Sequence, residues 1–198
     1  MRNGNVLFVT EEDYEQTDCA QAGSFQTWKV QTLGGRKSAI VPLDKVELAD
    51  LGTFPVPQYA FCSAHWFDYH QSGIVAAGFY GGGLQLIDVR NPRDIKSYGH
   101  ATWGASEVWD AYWVPKYDTD GNIMKKKTNL LYTVDLVRGL DVYNVDLPGG
   151  DRIAQPARLG AGNPFTTLSW PEDGVPVTLV LGALLGSVIL RRRARSRA

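Results

Sequence analysis

Three segments of this chain repeat one pattern, and that repetition constrains the fold more than any other feature of the sequence. Each segment has an apolar stretch, a turn that contains glycine, and a second alternating stretch that ends in valine. The turn glycines are Gly23, Gly83 and Gly139, so successive copies are 60 and 56 residues apart. Glycine supplies the positive φ that tight hairpins need, and β-branched and aromatic residues flank the turns. The pattern predicts three antiparallel hairpin units in an all-β fold.

Units of this length, with several strands each, are typical of β-propeller blades. A closed propeller has about four to eight blades, and this chain supplies about three. We therefore expect an incomplete ring in residues 1–160, which is either a C-terminal portion of a longer protein or a ring completed by a partner. The extra length over a compact blade is assigned to a Gly- and Pro-rich loop at 31–58 and to a hairpin that turns at Asp120-Gly121.

The middle repeat carries a more specific motif, Gly-Leu-Gln-Leu-Ile-Asp-Val-Arg-Asn-Pro at residues 83–92. This motif resembles the repeat of the LVIVD-repeat proteins, and residues 140–145 are a degenerate second copy. The aspartate of the motif is Asp88 in one copy, whereas the other copy has Asn144. The resemblance covers roughly Asn5–Gly149. It implies a β-propeller of secreted or surface-attached bacterial proteins, without a catalytic activity common to the family.

An uncharged apolar run at residues 175–190 predicts a C-terminal transmembrane helix. At 1.5 Å per residue, its length is about 24 Å, a little less than a hydrocarbon core of about 30 Å. Trp170 on one side can lie in the interface, and arginine side chains on the other side can snorkel. The predicted anchor residues are Val175, Leu179, Leu181, Leu184, Leu185, Ile189 and Leu190.

The tail at residues 191–198 sets the predicted orientation. It contains five arginines, of which Arg191, Arg192 and Arg193 follow the apolar run directly. Basic residues beside a membrane span stay cytoplasmic, so the main domain is expected on the outer side of the cell membrane, joined through a linker at 161–174. Two alternatives stay open: a buried helix of a soluble protein, and a sorting signal that includes residues 163–167.

The charge distribution excludes one class of partner. The chain has 20 Lys and Arg residues and 21 Asp and Glu residues, and five of the basic residues are in the tail. The outer domain is therefore acidic, with 15 basic residues against 21 acidic ones. An acidic domain lacks the positive surface that nucleic acid requires, so we expect no nucleic-acid partner.

Cys19 and Cys62 are the two cysteines of the chain. An even pair in an outward-facing domain predicts a disulfide, and the alternative is two buried free thiols. Neither cysteine has a neighbouring Cys or His at metal-ligand spacing.

The sequence His-Trp-Phe-Asp-Tyr-His at residues 65–70 is the most site-like stretch. In a strand, alternate side chains share a face, so Asp68 and His70 can bind one ion together, whereas His65 points the other way. Two ligands do not complete a metal site. We expect no cofactor. The alternative is an enzyme or metalloprotein that holds a divalent metal ion in the propeller channel around Asp68 and His70.

An aromatic group later in the chain can line a ligand pocket or pack between blades. Its members are Trp103, Trp109, Tyr112 and Trp113, beside Glu107 and Asp110.

The sequence offers no set of nucleophile, base and oxyanion donor. We therefore expect a membrane-anchored, extracytoplasmic β-propeller that acts as a non-catalytic binding or scaffold module. Its expected partners are the membrane and either another protein or a surface carbohydrate.

Overall fold

The structure of the protein is a computed structural model, which describes residues 5–31, 39–52 and 61–149 and the backbone of two short strands beyond them. The strands are β1 (Val6–Glu11), β2 (Ser24–Gln31), β3 (Ala39–Val46), β4 (Phe67–Tyr69), β5 (Ile74–Gly78), β6 (Leu84–Asp88), β7 (Lys96–Ala101), β8 (Val108–Tyr117), β9 (Ile123–Asp135), β10 (Gly139–Asn144), β11 (Thr167–Leu168) and β12 (Val177–Leu179). One single-turn 3-10 helix spans Leu48–Asp50. Every strand pairing in these ranges is antiparallel, which confirms the predicted all-β antiparallel class.

The first sheet has the strand order β1-β2-β3. Directly paired residues of an antiparallel sheet lie on one face, and the register therefore places Phe8, Phe25 and Val46 on the same side. These side chains pack into a core that the first sheet shares with the second.

Strand β3 corrects the prediction of a loop at 31–58, because Ala39–Val46 is a strand in the structure. The proline that suggested a loop, Pro42, pairs with Trp28 beside a register shift. Proline removes a ladder donor, but β3 is an edge strand of its sheet, where this loss is tolerated.

The second sheet, in the order β4-β5-β6-β7, is covered on both faces. Every residue of β5 and β6 is buried. Because alternate residues point to opposite faces, Val75 and Ile87 contact the core shared with the first sheet, whereas Ala76 and Leu86 contact a second core. This two-sided burial explains the continuous apolar runs of the middle repeat.

The third sheet has the order β11-β12-β10-β9-β8. Its face toward the second sheet presents Ala111, Trp113, Leu131 and Tyr143, all buried in the second core. The hairpin between β8 and β9 turns where the sequence predicted, with Tyr117 paired to Ile123 and a positive φ at Gly121.

The three turn glycines occupy corresponding positions in the three sheets. Gly23 precedes β2, Gly83 precedes β6 and Gly139 begins β10, with φ values of +65°, +76° and +95°. Strands β1, β5 and β9 therefore correspond to one another, and β4 corresponds to β8. In the described ranges, no strand of the first sheet corresponds to β4 and β8, and β1 forms the edge.

The C-terminal part of the chain is described only as two short strands. Val177–Leu179 forms β12, which pairs with β10 and β11, so the structure has a strand where the sequence predicted part of a helix. Val and Thr are β-branched and favour strands. Across the residues that the structure describes, no helix is long and apolar enough to cross a membrane. The rest of the predicted anchor, the tail and the boundaries of the linker lie outside the described residues.

Candidate functional site

Asp68, one of the two predicted metal ligands, lies on β4 and faces the third sheet. Its Oδ2 accepts a hydrogen bond from the backbone N–H of Trp113, 3.0 Å away. Its Oδ1 forms an ion pair with the ammonium group of Lys127. Both carboxylate oxygens therefore have protein partners that connect the second and third sheets.

His70, the other predicted ligand, is buried, with 2% of its surface exposed. The backbone N–H of Ser72 donates to Nδ1 over 3.1 Å, so Nδ1 is an acceptor and the ring proton is on Nε2. Burial lowers the pKa of His70 and favours this neutral form. The ring centroid lies 5.0 Å from that of Trp113. His70 therefore belongs to the packing between the second and third sheets.

No group of three or more His, Cys, Asp and Glu side chains in the described part of the chain is arranged to hold a metal ion. Asp68 and His70 lie on the same side of the second sheet, as the alternation predicts, and each has hydrogen-bond partners within the protein. A metal site at this pair stays a prediction.

Cys19 and Cys62 form a disulfide in the structure, in agreement with the predicted pairing. Their Cα atoms are 4.9 Å apart, and both side chains are buried in the first core. The bond joins the loop after β1 to the segment that leads into β4. It therefore links the first and second sheets on the side where a group of polar and aromatic residues is assembled.

This group centres on His65, which lies between two carboxylates. His65 Nε2 is 3.8 Å from Oε1 of Glu12, and His65 Nδ1 is 3.4 Å from Oδ1 of Asp110. Glu12 follows β1 of the first sheet, His65 precedes β4 of the second, and Asp110 is on β8 of the third. We call these three residues the Glu12–His65–Asp110 cluster.

Two tyrosines donate hydrogen bonds to Glu12. The Oη–Oε1 distances are 2.5 Å for Tyr80 and 2.7 Å for Tyr14. Burial raises the pKa of Tyr80, and the hydrogen bond to Glu12 raises it further. Burial alone would raise the pKa of Glu12, but the hydrogen bonds from Tyr80 and Tyr14 and the nearby His65 lower it below its usual value. At neutral pH, Glu12 is therefore an ionised acceptor between two protonated tyrosines.

Tyr80 has a positive φ of +46°, which no other non-glycine residue in the described ranges shares. Left-handed backbone is costly for an aromatic residue and persists only where surrounding contacts fix it. Here the backbone N–H and carbonyl groups of Tyr80 and Val108 exchange two hydrogen bonds, both 2.9 Å long. These bonds join the second and third sheets and direct the Tyr80 hydroxyl group to Glu12 of the first.

Two tryptophans border the cluster and are exposed to solvent. Trp66 is 57% exposed and Trp109 is 40% exposed. The Trp109 ring stacks on His65, with centroids 5.0 Å apart and planes 18° apart. The Trp109 carbonyl oxygen is 3.0 Å from His65 Nδ1, which donates to it as an N–H group. Because this N–H group donates to the Trp109 carbonyl, Oδ1 of Asp110 has no hydrogen-bond partner among the described residues, and this oxygen is buried.

The cluster combines a charged acceptor with exposed aromatic side chains. Ionised Glu12 is a hydrogen-bond acceptor, and the two exposed tryptophans are flat apolar surfaces.

The structure places only part of the predicted aromatic group at the Glu12–His65–Asp110 cluster. Trp109 and Asp110 are at the cluster, as a ligand pocket requires. Trp113 is 2% exposed and fills the second core, and Trp103 lies under the guanidinium group of Arg138. The sequence singled out residues 65–70, which include His65, but the predicted ligands were Asp68 and His70. It did not connect His65 with Glu12, because their contact joins separate repeats and no local spacing records it.

Compared with known proteins, the chain matches no protein-family model, no curated protein and no solved structure.

Proposed function

We propose that this chain is part of a β-propeller of the LVIVD-repeat type, held at the outer face of a membrane, which works as a non-catalytic binding module. Three antiparallel sheets follow one another in chain order, and the middle sheet is covered on both faces. Consecutive packing of this kind is how propeller blades bury their faces. The corresponding turn glycines support a repeated unit.

The outer faces of the two end sheets support further blades. By the strand registers, the first sheet presents Leu7, Val9, Trp28, Val30, Ile40 and Pro42 on its outer face, and the third sheet presents Tyr112, Leu130, Tyr132, Val134, Leu140 and Val142. These side chains are exposed or half-buried. An apolar sheet face is stable in water when another layer covers it, so both faces suit contact with neighbouring blades.

The binding function rests on one observation: three sheets bring Glu12, His65 and Asp110 together beside two exposed tryptophans. Trp66 and Trp109 are neighbours joined by a backbone hydrogen bond, and adjoining exposed apolar side chains mark interaction sites.

A surface carbohydrate is the ligand class that fits these groups. Sugar hydroxyl groups donate to carboxylates, and the apolar face of a sugar ring stacks on an indole. Glu12 and Asp110 are the proposed acceptors, and Trp66 and Trp109 the proposed stacking platforms.

The test is a screen of the full-length chain, in mild detergent, against immobilised surface oligosaccharides, followed by calorimetry with the saccharides that bind. We expect Trp66→Ala and Trp109→Ala to lower the affinity at least tenfold. Tyr117→Ala is the matched control, because Tyr117 is also 57% exposed but lies at the far end of β8. If no saccharide binds, or if the control loses as much affinity as the two variants, the proposed ligand class is wrong.

In this proposal, the apolar run at residues 175–190 is the anchor, with Val177–Leu179 released from its pairing with β10, and Arg191, Arg192 and Arg193 keep the tail in the cytoplasm. Leu184→Arg combined with Leu185→Arg is expected to move the chain from the membrane fraction to the soluble fraction, whereas Ile123→Arg on the exposed β8–β9 hairpin is not. Protease treatment of intact cells is expected to remove the domain. If the wild-type protein is found in the soluble fraction, the proposed anchor is wrong. Residues 177–179 would then serve only as strand β12 of the third sheet.

A further inference from the structure

The Glu12–His65–Asp110 cluster contains two acidic side chains and no basic residue to balance them. In the described part of the chain, the ion pairs of Glu12 and Asp110 are both with His65, and no Lys or Arg side chain pairs with either carboxylate. Asp68, by contrast, pairs with Lys127. One imidazole balances at most one of two carboxylates, so the cluster is negative at neutral pH.

The carboxylate of Glu12 has one oxygen held by the protein and one that is not. Both tyrosine hydrogen bonds end on Oε1, over 2.5 Å from Tyr80 and 2.7 Å from Tyr14. No described residue donates a hydrogen bond to Oε2. The Glu12 side chain is 29% exposed, so a ligand donor can reach this oxygen. Because Glu12 is ionised, a bond to a charged donor is among the strong kind of hydrogen bond.

The aromatic side chains at the cluster favour a positively charged ligand over a negatively charged one. Tyr14 is 71% exposed and stacks on Phe61, with 5.0 Å between centroids and 13° between planes. Trp66 and Trp109 are the exposed indoles on the other side of His65. The faces of aromatic rings carry partial negative charge and attract ammonium groups. Charge and aromatic surface therefore favour the same class of ligand.

We propose that the saccharide bound at the cluster is an amino sugar, whose protonated amino group binds Oε2 of Glu12 and whose ring stacks on Trp66 or Trp109. This inference rests on the proposed carbohydrate-binding function and narrows it. The ammonium group supplies the positive charge that the cluster lacks. Saccharides with carboxylate or phosphate groups are disfavoured, because like charges repel at a binding site.

The test is calorimetry on the full-length chain in mild detergent at about pH 6, where amino groups are protonated and Glu12 is ionised. The probes are the tetrasaccharide of glucosamine and its fully N-acetylated form, which share the same rings and linkages and differ in charge. We expect the glucosamine form to bind about tenfold more tightly or better. Added salt is expected to reduce this preference, because it screens the ion pair. A uronic acid tetrasaccharide is expected to bind more weakly than either.

Glu12→Gln keeps an acceptor for the two tyrosines and removes the charge. We expect the preference for the glucosamine form to fall to about twofold or less in this variant. Glu15→Gln is the matched control, because Glu15 is exposed on the same loop but lies outside the cluster. Urea unfolding checks that both variants fold, and if Glu12→Gln does not, the wild-type preference and its salt dependence decide. Equal losses of preference in the two variants would overturn the assignment to Glu12.

Tetralysine carries ammonium groups without sugar rings and is expected to bind about tenfold more weakly than the glucosamine tetrasaccharide. If it binds as tightly, the cluster recognises a basic peptide and the amino-sugar inference is wrong. Equal affinity for the two tetrasaccharides, or tighter binding of the acetylated form, would also overturn the inference but would leave the carbohydrate proposal standing. If no saccharide of any charge binds, the proposed function itself is wrong and this inference fails with it.

Discussion

Asp68 of β4 accepts a hydrogen bond from the backbone N–H of Trp113 in β8, with 3.0 Å between Oδ2 and the nitrogen. The bond crosses from the second sheet to the third in an interface that is otherwise mainly apolar. Lys127 of β9 forms an ion pair with the other carboxylate oxygen. One side chain therefore fixes the position of two strands of the neighbouring sheet.

Replacing Asp68 separates these two contacts. Asp68→Ala leaves the Trp113 N–H without an acceptor and is expected to lower the free energy of unfolding by about 2 kcal/mol. Asp68→Asn keeps a carbonyl acceptor and loses the ion pair, which is about a quarter exposed and is expected to contribute less than about 1 kcal/mol. Urea unfolding followed by tryptophan fluorescence measures both. Asp94→Ala, at an exposed ion pair, is the control with an expected change near zero. Equal losses for Ala and Asn at position 68 would assign the whole effect to the ion pair.

Asp135 at the end of β9 is expected to make the protein sensitive to acid. Its Oδ1 accepts from the backbone N–H groups of Glu107, Val137 and Arg138 at 3.1, 2.8 and 3.0 Å, and its Oδ2 accepts from Ser106 at 2.5 Å. Burial alone would raise the pKa of Asp135, but these hydrogen bonds lower it. The folded-state pKa is therefore below the unfolded value, so the stabilisation is complete above about pH 4 and is lost as the pH falls through the folded pKa.

Asp135→Asn removes this ionisation. We expect the variant to be less stable than wild type at pH 7 and the difference to shrink toward pH 3, as measured by urea midpoints across that range. Asp118→Asn is a useful comparison. The pKa of Asp118 is also lowered by backbone and side-chain contacts of Asn122, but Asp118 is exposed in a hairpin turn, so its effect is expected to be small. A constant difference between wild type and Asp135→Asn at all pH values would rule out the ionisation as the cause.

Gly83 and Gly121 test whether a turn requires glycine because of the space around the residue or because of its backbone conformation. Both have a positive φ, +76° and +83°. A Cβ atom on Gly83 would lie 2.4 Å from the carbonyl oxygen of Ala101, whereas one on Gly121 would meet nothing within 4 Å. Gly121→Ala is expected to cost about 1 kcal/mol through the backbone alone, and Gly83→Ala about 3 kcal/mol or more, because β7 must move. Thermal unfolding of the two variants measures the difference, and similar losses would show that β7 yields easily.

The turn glycines also show which parts of the fold the sequence predicts well. A positive φ selects glycine, so Gly23, Gly83 and Gly139 mark the hairpins and the repeat without any knowledge of packing. Strand β3 was missed because Pro42 resembles a loop signal, although an edge strand accepts it. The LVIVD-type repeat, the incomplete propeller ring and the membrane anchor stay predictions.

The candidate site was predicted less well, for a physical reason. Glu12, His65 and Asp110 come from three different sheets, and only the packing of those sheets brings them within 4 Å. No periodicity or spacing in the chain encodes such a contact. Trp109 and Asp110 were identified because they are neighbours in an aromatic-rich stretch, which is a local signal.

The Cys19–Cys62 bond is expected to be the strongest single contribution to the stability of the first two sheets. It closes a loop between residues 43 positions apart, which in the chain-entropy model stabilises the fold by about 4 kcal/mol. Reduction of the wild type, or the double change Cys19→Ser and Cys62→Ser, is therefore expected to lower the free energy of unfolding, measured by urea unfolding, by a similar amount. The double variant must be insensitive to reductant, which controls for other effects of the reagent. Several hydrogen bonds continue to join these sheets without the disulfide, among them those from the Asp13 backbone N–H to Ser63 Oγ at 2.7 Å and from the Ile95 backbone N–H to Asp44 Oδ2 at 2.8 Å. Each bond is worth only about 1 kcal/mol. An unchanged stability after reduction would therefore mean that these bonds and the apolar contacts of the first core, rather than the disulfide, hold the two sheets together.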